Sequence, residues 1–137
     1  MRRDVYSGFL KFNGEEHTHT LTEANNYANL LVKLLRLEEA KSLLRKTIPV
    51  ARRVFGESHE LTLRMRWVYS CSLYKATSAT LDDLREAVTT LEDLVPLWTR
   101  IYGEAHPETP KVQGALATAR GRLARALAAA AGSAEKS

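Results

Sequence analysis

Three seven-residue stretches constrain this chain more than anything else in it: GEEHTHT at 14–20, GESHELT at 56–62 and GEAHPET at 103–109. His17 and His59 are 42 residues apart (59 − 17), and His59 and His106 are 47 apart (106 − 59). The residues ahead of the second and third stretches repeat as well. LEEAKSLLRKTIPVARRVFGE (37–57) lies over LREAVTTLEDLVPLWTRIYGE (84–104). Ala40 and Ala87 match; each is followed nine residues later by a proline (Pro49, Pro96) and sixteen later by a glycine (Gly56, Gly103). The five extra residues of the second unit therefore fall earlier, around KATSA at 75–79. Self-similarity at such a period means stacked units, because one unit cannot bury its apolar face alone.

Each unit reads as two helices. Segment 20–34 has no breaker, and Thr20 with Glu23 has the spacing of a capping box. Segment 37–55 carries Leu37, Ala40, Leu44, Ile48, Ala51 and Phe55 at helical spacing, with Gly56 placed to cap its end. In the second unit 60–75 is a first helix. The next begins near 81, with Thr80 and Asp83 as a capping pair and a stripe of Leu81, Leu84, Val88, Leu91 and Val95. The third unit offers one helix from Pro107, inward by Leu116, Ala119, Leu123 and Leu127 and ended by Gly132. GE-x-H is then the hinge between successive hairpins, its glycine permitting a left-handed exit and its histidine capping or packing the turn. His17 and His19 are the one close pair, with no cysteine or second helical histidine to complete a metal set, so no cofactor or metal is implied. Pro49 and Pro96 fall within helices, where each frees a carbonyl four residues back and bends the axis.

A chain of 137 residues, 45% hydrophobic, is expected to form a single soluble domain over 1–132. Its parts are a flanking helix at 1–13, repeats at 14–56 and 57–103, a C-terminal capping helix at 104–132 and a disordered tail at 133–137. No apolar run is long enough to span a membrane. The start MRRDVYSGFLKF lacks the apolar region of a secretory signal, and Cys71 is the single cysteine. Both point to the cytoplasm or another reducing compartment. The net charge of +4 and the lack of a base-reading module argue against nucleic acid as partner. The basic C-terminal helix is mostly alanine on its apolar side, which gives little energy for membrane insertion. Acids are scattered and no nucleophile or phosphate-loop signature occurs, so the chain does not read as an enzyme.

This hairpin pattern resembles the tetratricopeptide repeat. The longer period and the GE-x-H hinge are most similar to the variant of kinesin light chains. The resemblance is specific at the hinge, at Ala28 and Ala40 and at Leu44. It departs at Leu35, where a glycine usually stands between the helices, and at Ala24 and Arg66, where a large apolar residue usually stands. It implies an all-α, right-handed α-solenoid of antiparallel helix hairpins, with about two full repeats plus N- and C-terminal flanking helices. It also implies a non-catalytic protein-interaction scaffold whose concave groove holds a peptide or partner helix.

Carried over residue by residue, the resemblance gives groove positions at Asn25, Asn26, Asn29 and Lys33, at Arg64, Trp67, Cys71, Tyr74 and Lys75, and at Lys111 and Arg122. Asparagines can grip an extended backbone, the basic residues attract an acidic segment, and the aromatics offer anchoring surface. Trp67 and Tyr74 equally fit packing between hairpins. A structural subunit built permanently into a larger assembly is the competing reading. Residues 3–12, with Val5, Phe9 and Phe12 on one side, resemble the tail of a second helix, fit to cap the array, extend it or dock onto another chain.

Overall fold

The computed structural model of the chain describes residues 14–136, with side chains described over 17–133. The flanking helix expected at 1–13 lies outside the described residues. Five helices follow in order: α1 Gly14–Lys33, α2 Leu37–Phe55, α3 Glu60–Tyr74, α4 Leu81–Tyr102 and α5 Thr109–Lys136. There is no strand among the described residues. The fold is all-α, of the helix-hairpin repeat type. The chain divides into two compact units, with the boundary inside α3 between Val68 and Tyr69.

In the first unit α1 packs on α2. The buried face of α1 is Leu21, Ala28, Leu31 and Val32, and that of α2 is Ala40, Leu44, Thr47, Ile48 and Ala51. The α2 residues recur at steps of three and four, which puts them on one side of the helix. The helix continues through Pro49, which faces solvent. Three residues join α1 to α2. The amide of Arg36 donates to the carbonyl of Leu31 at 2.8 Å and that of Leu35 to Val32 at 3.0 Å. This paired pattern closes a helix by turning one residue left-handed, and that residue is Leu35, at φ 62. A side chain in this region costs roughly 1–2 kcal/mol, whereas glycine adopts it freely. Leu35→Gly is therefore expected to raise the stability of the chain in dilute solution by about 1 kcal/mol, read as a higher urea midpoint. A lower midpoint would show that the side chain of Leu35 contributes more than its backbone costs.

In the second unit α4 packs on α5. Leu84, Ala87, Val88, Leu91, Leu94 and Trp98 form the buried face of α4, and Val112, Ala115, Leu116 and Ala119 that of α5. The expected Thr80–Asp83 pair is a full capping box: the Asp83 amide donates to Thr80 Oγ1 at 3.1 Å, and the Thr80 amide to Asp83 Oδ2 at 3.2 Å. Three boundaries differ from the sequence reading. GEEHTHT is helical, not a hinge, since α1 starts at Gly14; two glutamates in the first turn suit a helix N-terminus. The last helix starts at Thr109 and not at Pro107, so Pro110 occupies its first turn, where a missing amide leaves no bond unmade. It also runs through Gly132 to Lys136, because Gly132 is not among the residues with positive φ and nothing turns the backbone there.

The two true hinges repeat one set of contacts. Gly56 and Gly103 leave their helices at φ 92 and φ 87. Their amides still bond back, to Arg52 at 2.9 Å and Thr99 at 2.8 Å. The histidine of each hinge is an acceptor: His59 Nδ1 takes the Leu61 amide at 3.0 Å and His106 Nδ1 takes the Glu108 amide at 3.1 Å. Each ring thus satisfies a free donor at the start of the following helix. Each also rests on the aromatic residue before the glycine, His59 on Phe55 at 4.4 Å and His106 on Tyr102 at 5.0 Å between ring centres. The hinge glutamates are held from the next helix: Glu57 by Arg66 at 3.6 Å and Glu104 by Gln113 at 3.2 Å. Arg66 and Gln113 are equivalent positions, 47 residues apart (113 − 66). The buried arginine that replaces an expected apolar residue is thereby explained.

Candidate partner-binding residues

On α1 the steps from Asn26 to Asn29 and Lys33 are three and four residues, so all three lie on one side of the helix, and all three are exposed. Asn25 is turned away: it is half-buried, and its Oδ1 is enclosed without a hydrogen-bond partner. On α3 Arg64 is half-buried and its Nε bonds Glu60 Oε2 at 2.9 Å, while Trp67 is half-buried. Of the first-unit candidates, the open ones are therefore Asn26, Asn29 and Lys33.

In the second unit Lys75 and Lys111 are exposed. Tyr74 is not; it retains 6% of its surface and belongs to the core. The Cys71 thiol donates to its hydroxyl at 3.8 Å. Arg122 reaches back to the end of α3, donating to the carbonyls of Tyr74 and, at 3.1 Å, Ala76. It satisfies carbonyls that a helix C-terminus leaves open. The charge of Arg122, which sequence reasoning assigned to a groove, is spent inside the unit.

Burial pushes the Cys71 thiol up, against the pull of the Lys75 ammonium, and burial with the adjacent Cys71 raises the Tyr74 hydroxyl well above the ordinary phenol range. Both groups then keep their protons to higher pH in the folded chain than in the unfolded one. Their contribution to stability is intact below the ordinary thiol range and is lost as pH rises through the raised values. Thiol labelling of the native chain is expected to be slow near pH 8 and to accelerate only at distinctly higher pH than for a thiol peptide. Labelling at the peptide's rate and pH midpoint would contradict this.

Sequence reasoning missed four residues. Tyr27 and Leu30 are each 50% exposed, Leu34 is 56% and Leu35 72%. Apolar residues at such spacing look the same in sequence whether the face they form is covered or open. Among the described residues no three His, Cys, Asp or Glu side chains gather as a metal set, and no helix is long and apolar enough to cross a membrane.

The class of protein defined by these hairpins and hinges is an all-α helical-repeat protein. Residues 20–60, which span most of α1, all of α2 and the first full hinge, match the family described as Tetratricopeptide repeat. Repeats of that family generally mediate protein–protein interactions and are not catalytic as a rule. No curated protein matches the chain, and no solved structure does.

Proposed function

We propose that this chain is a non-catalytic interaction scaffold whose first helices take an acidic partner segment carrying an apolar anchor. The observation that carries the reading is the state of its lysines. Of the candidate bases, Lys33, Lys75 and Lys111 are all exposed and none is ion-paired to a carboxylate among the described residues, whereas Arg64 is held by Glu60 and Arg122 by the carbonyls of Tyr74 and Ala76. The unneutralised charge of Lys33, on the same side of α1 as Asn26 and Asn29, supports electrostatic capture of an acidic chain and hydrogen bonding to its backbone. The period and the GE-x-H hinge support the kinesin-light-chain-like variant of the repeat. The single cysteine, which can form no internal disulfide, supports a reducing intracellular compartment.

The test is binding of a fluorescein-labelled peptide of aspartate, glutamate and leucine, followed by anisotropy at several salt concentrations. Lys33→Glu with Lys75→Glu is expected to weaken binding by at least about tenfold, because each reversal converts an attraction into a repulsion. Both sites are exposed, so the melting temperature should stay where it is. Undiminished binding by the double variant rejects the reading.

A further inference from the structure

The exposed apolar residues of α1 form a face of their own. Tyr27, Leu30 and Leu34 are spaced by three and four residues, hence on one side of the helix, and Leu35 follows at its end. The repeat register shows what such a face is for. Adding 42 residues turns Tyr27 and Leu30 into Tyr69 and Ser72, which retain 7% and 3% of their surface. Adding a further 47 gives Leu116 and Ala119, at 9% and 0%, on the helix that α4 packs against. These two positions are buried in both later repeats and open only in the first, and the counterparts of Leu34, Ala76 and Leu123, are half-buried. Leu35 adds an independent sign. Its backbone is left-handed and its side chain is the most exposed of the large apolar ones, so it is unfavourable in the free chain twice over.

We propose that this face is the interface of a two-fold homodimer, in which α1 packs antiparallel on α1 of a second copy. Charge selects this occupant. Every acid of α1 lies in its first half, at Glu15, Glu16 and Glu23, and no lysine or arginine occurs there. From Glu23 to Glu38 the charged residues are Lys33 and Arg36 alone. An antiparallel pair centred near Leu30 sets Glu23 of each copy beside Arg36 of the other, and Glu15 and Glu16 fall beyond the partner's α1. Leu30 falls near the axis, with Glu23 seven residues before it and Arg36 six after. The existing partners of these two charges, His19 at 3.6 Å and Glu39 at 2.7 Å, are on the surface, where an ion pair is easily exchanged. The four apolar side chains bring roughly 400 Å² per copy, about half of what a standard interface buries on each side, so the association is weak and concentration-dependent. This inference does not rest on the acidic-partner reading: its apolar residues are not among those of that reading, and Lys33 alone is common to both.

Sedimentation velocity of the full chain from about 1 μM to about 1 mM is the first measurement, and a monomer–dimer equilibrium within that range is expected. Leu30→Lys with Leu34→Lys, both at exposed positions, should weaken dimerisation by at least about tenfold, with an unchanged far-ultraviolet circular dichroism spectrum. In a Cys71→Ser background, Leu30→Cys should cross-link to its own copy on oxidation and Tyr27→Cys should not, because only a residue near the two-fold meets itself. A chain that stays monomeric throughout overturns the proposal, and so does a dimer indifferent to the double lysine variant. If the chain dimerises only after deletion of residues 3–12, those residues cover the face in the intact chain and the proposal fails. Cross-linking at Tyr27→Cys but not at Leu30→Cys overturns the geometry.

Discussion

Trp98→Ala is expected to destabilise the chain by about 4 kcal/mol, the largest loss from any single substitution considered. The side chain retains 0% of its surface. It lies 4.6 Å from the ring of Tyr102 and meets His106 edge-on at 5.9 Å, centre to centre. Truncation therefore opens a cavity of indole size beneath the hinge whose histidine caps α5. Two costs add: the lost burial, and looser support of the ring that accepts the Glu108 amide. A domain of this size has a stability of roughly 5–15 kcal/mol, so the variant should lie near its unfolding threshold. Urea denaturation followed by circular dichroism measures the loss. Trp67→Ala is the control, since Trp67 is half-buried and should cost less. A loss below about 1.5 kcal/mol for Trp98→Ala would mean that the hinge does not depend on the indole.

Trp98 also shows where the sequence stops being readable. Its counterpart 47 residues earlier is Ala51, which is equally buried at 0%. One repeat fills the site with the bulkiest side chain and the other with nearly the smallest. A period tells which positions face inward; volume at each is settled by what the neighbours leave empty. The bounds of α2 and the Thr80–Asp83 cap were legible because each rests on local rules that need no neighbour: helical spacing, a glycine exit, a capping pair. The use of Arg122 was not legible. Nothing near it in sequence reveals that it closes the end of α3, since its acceptors, Tyr74 and Ala76, are 48 and 46 residues away. The exposure of Tyr27, Leu30 and Leu34 was not legible either, because apolar spacing cannot say whether the element that covers a face belongs to the same unit.

The glycines of the two hinges carry the second large effect. Gly56 has φ 92 and ψ 170, and Gly103 has φ 87 and ψ 163. Only glycine occupies this region without strain, because any Cβ there crowds its own backbone. Apart from the glycine itself and its two chain neighbours, nothing among the described residues lies within 4 Å of a Cβ built at either position. The cost of alanine would thus come from the backbone alone, about 1–3 kcal/mol at each site. Gly56→Ala and Gly103→Ala should lower the urea midpoint by similar amounts, since the two hinges share their dihedral angles and their bonds. Gly114→Ala supplies the opposite sign. That residue is inside α5, with equally open space around it, and alanine there should raise stability by up to about 1 kcal/mol through helix propensity. The three variants add the same methyl group where nothing else lies within 4 Å, so a difference in sign isolates the backbone conformation as its cause. If all three alanines proved neutral or stabilising, the left-handed exit would not be what ends α2 and α4, and the repeated glycine would need another explanation.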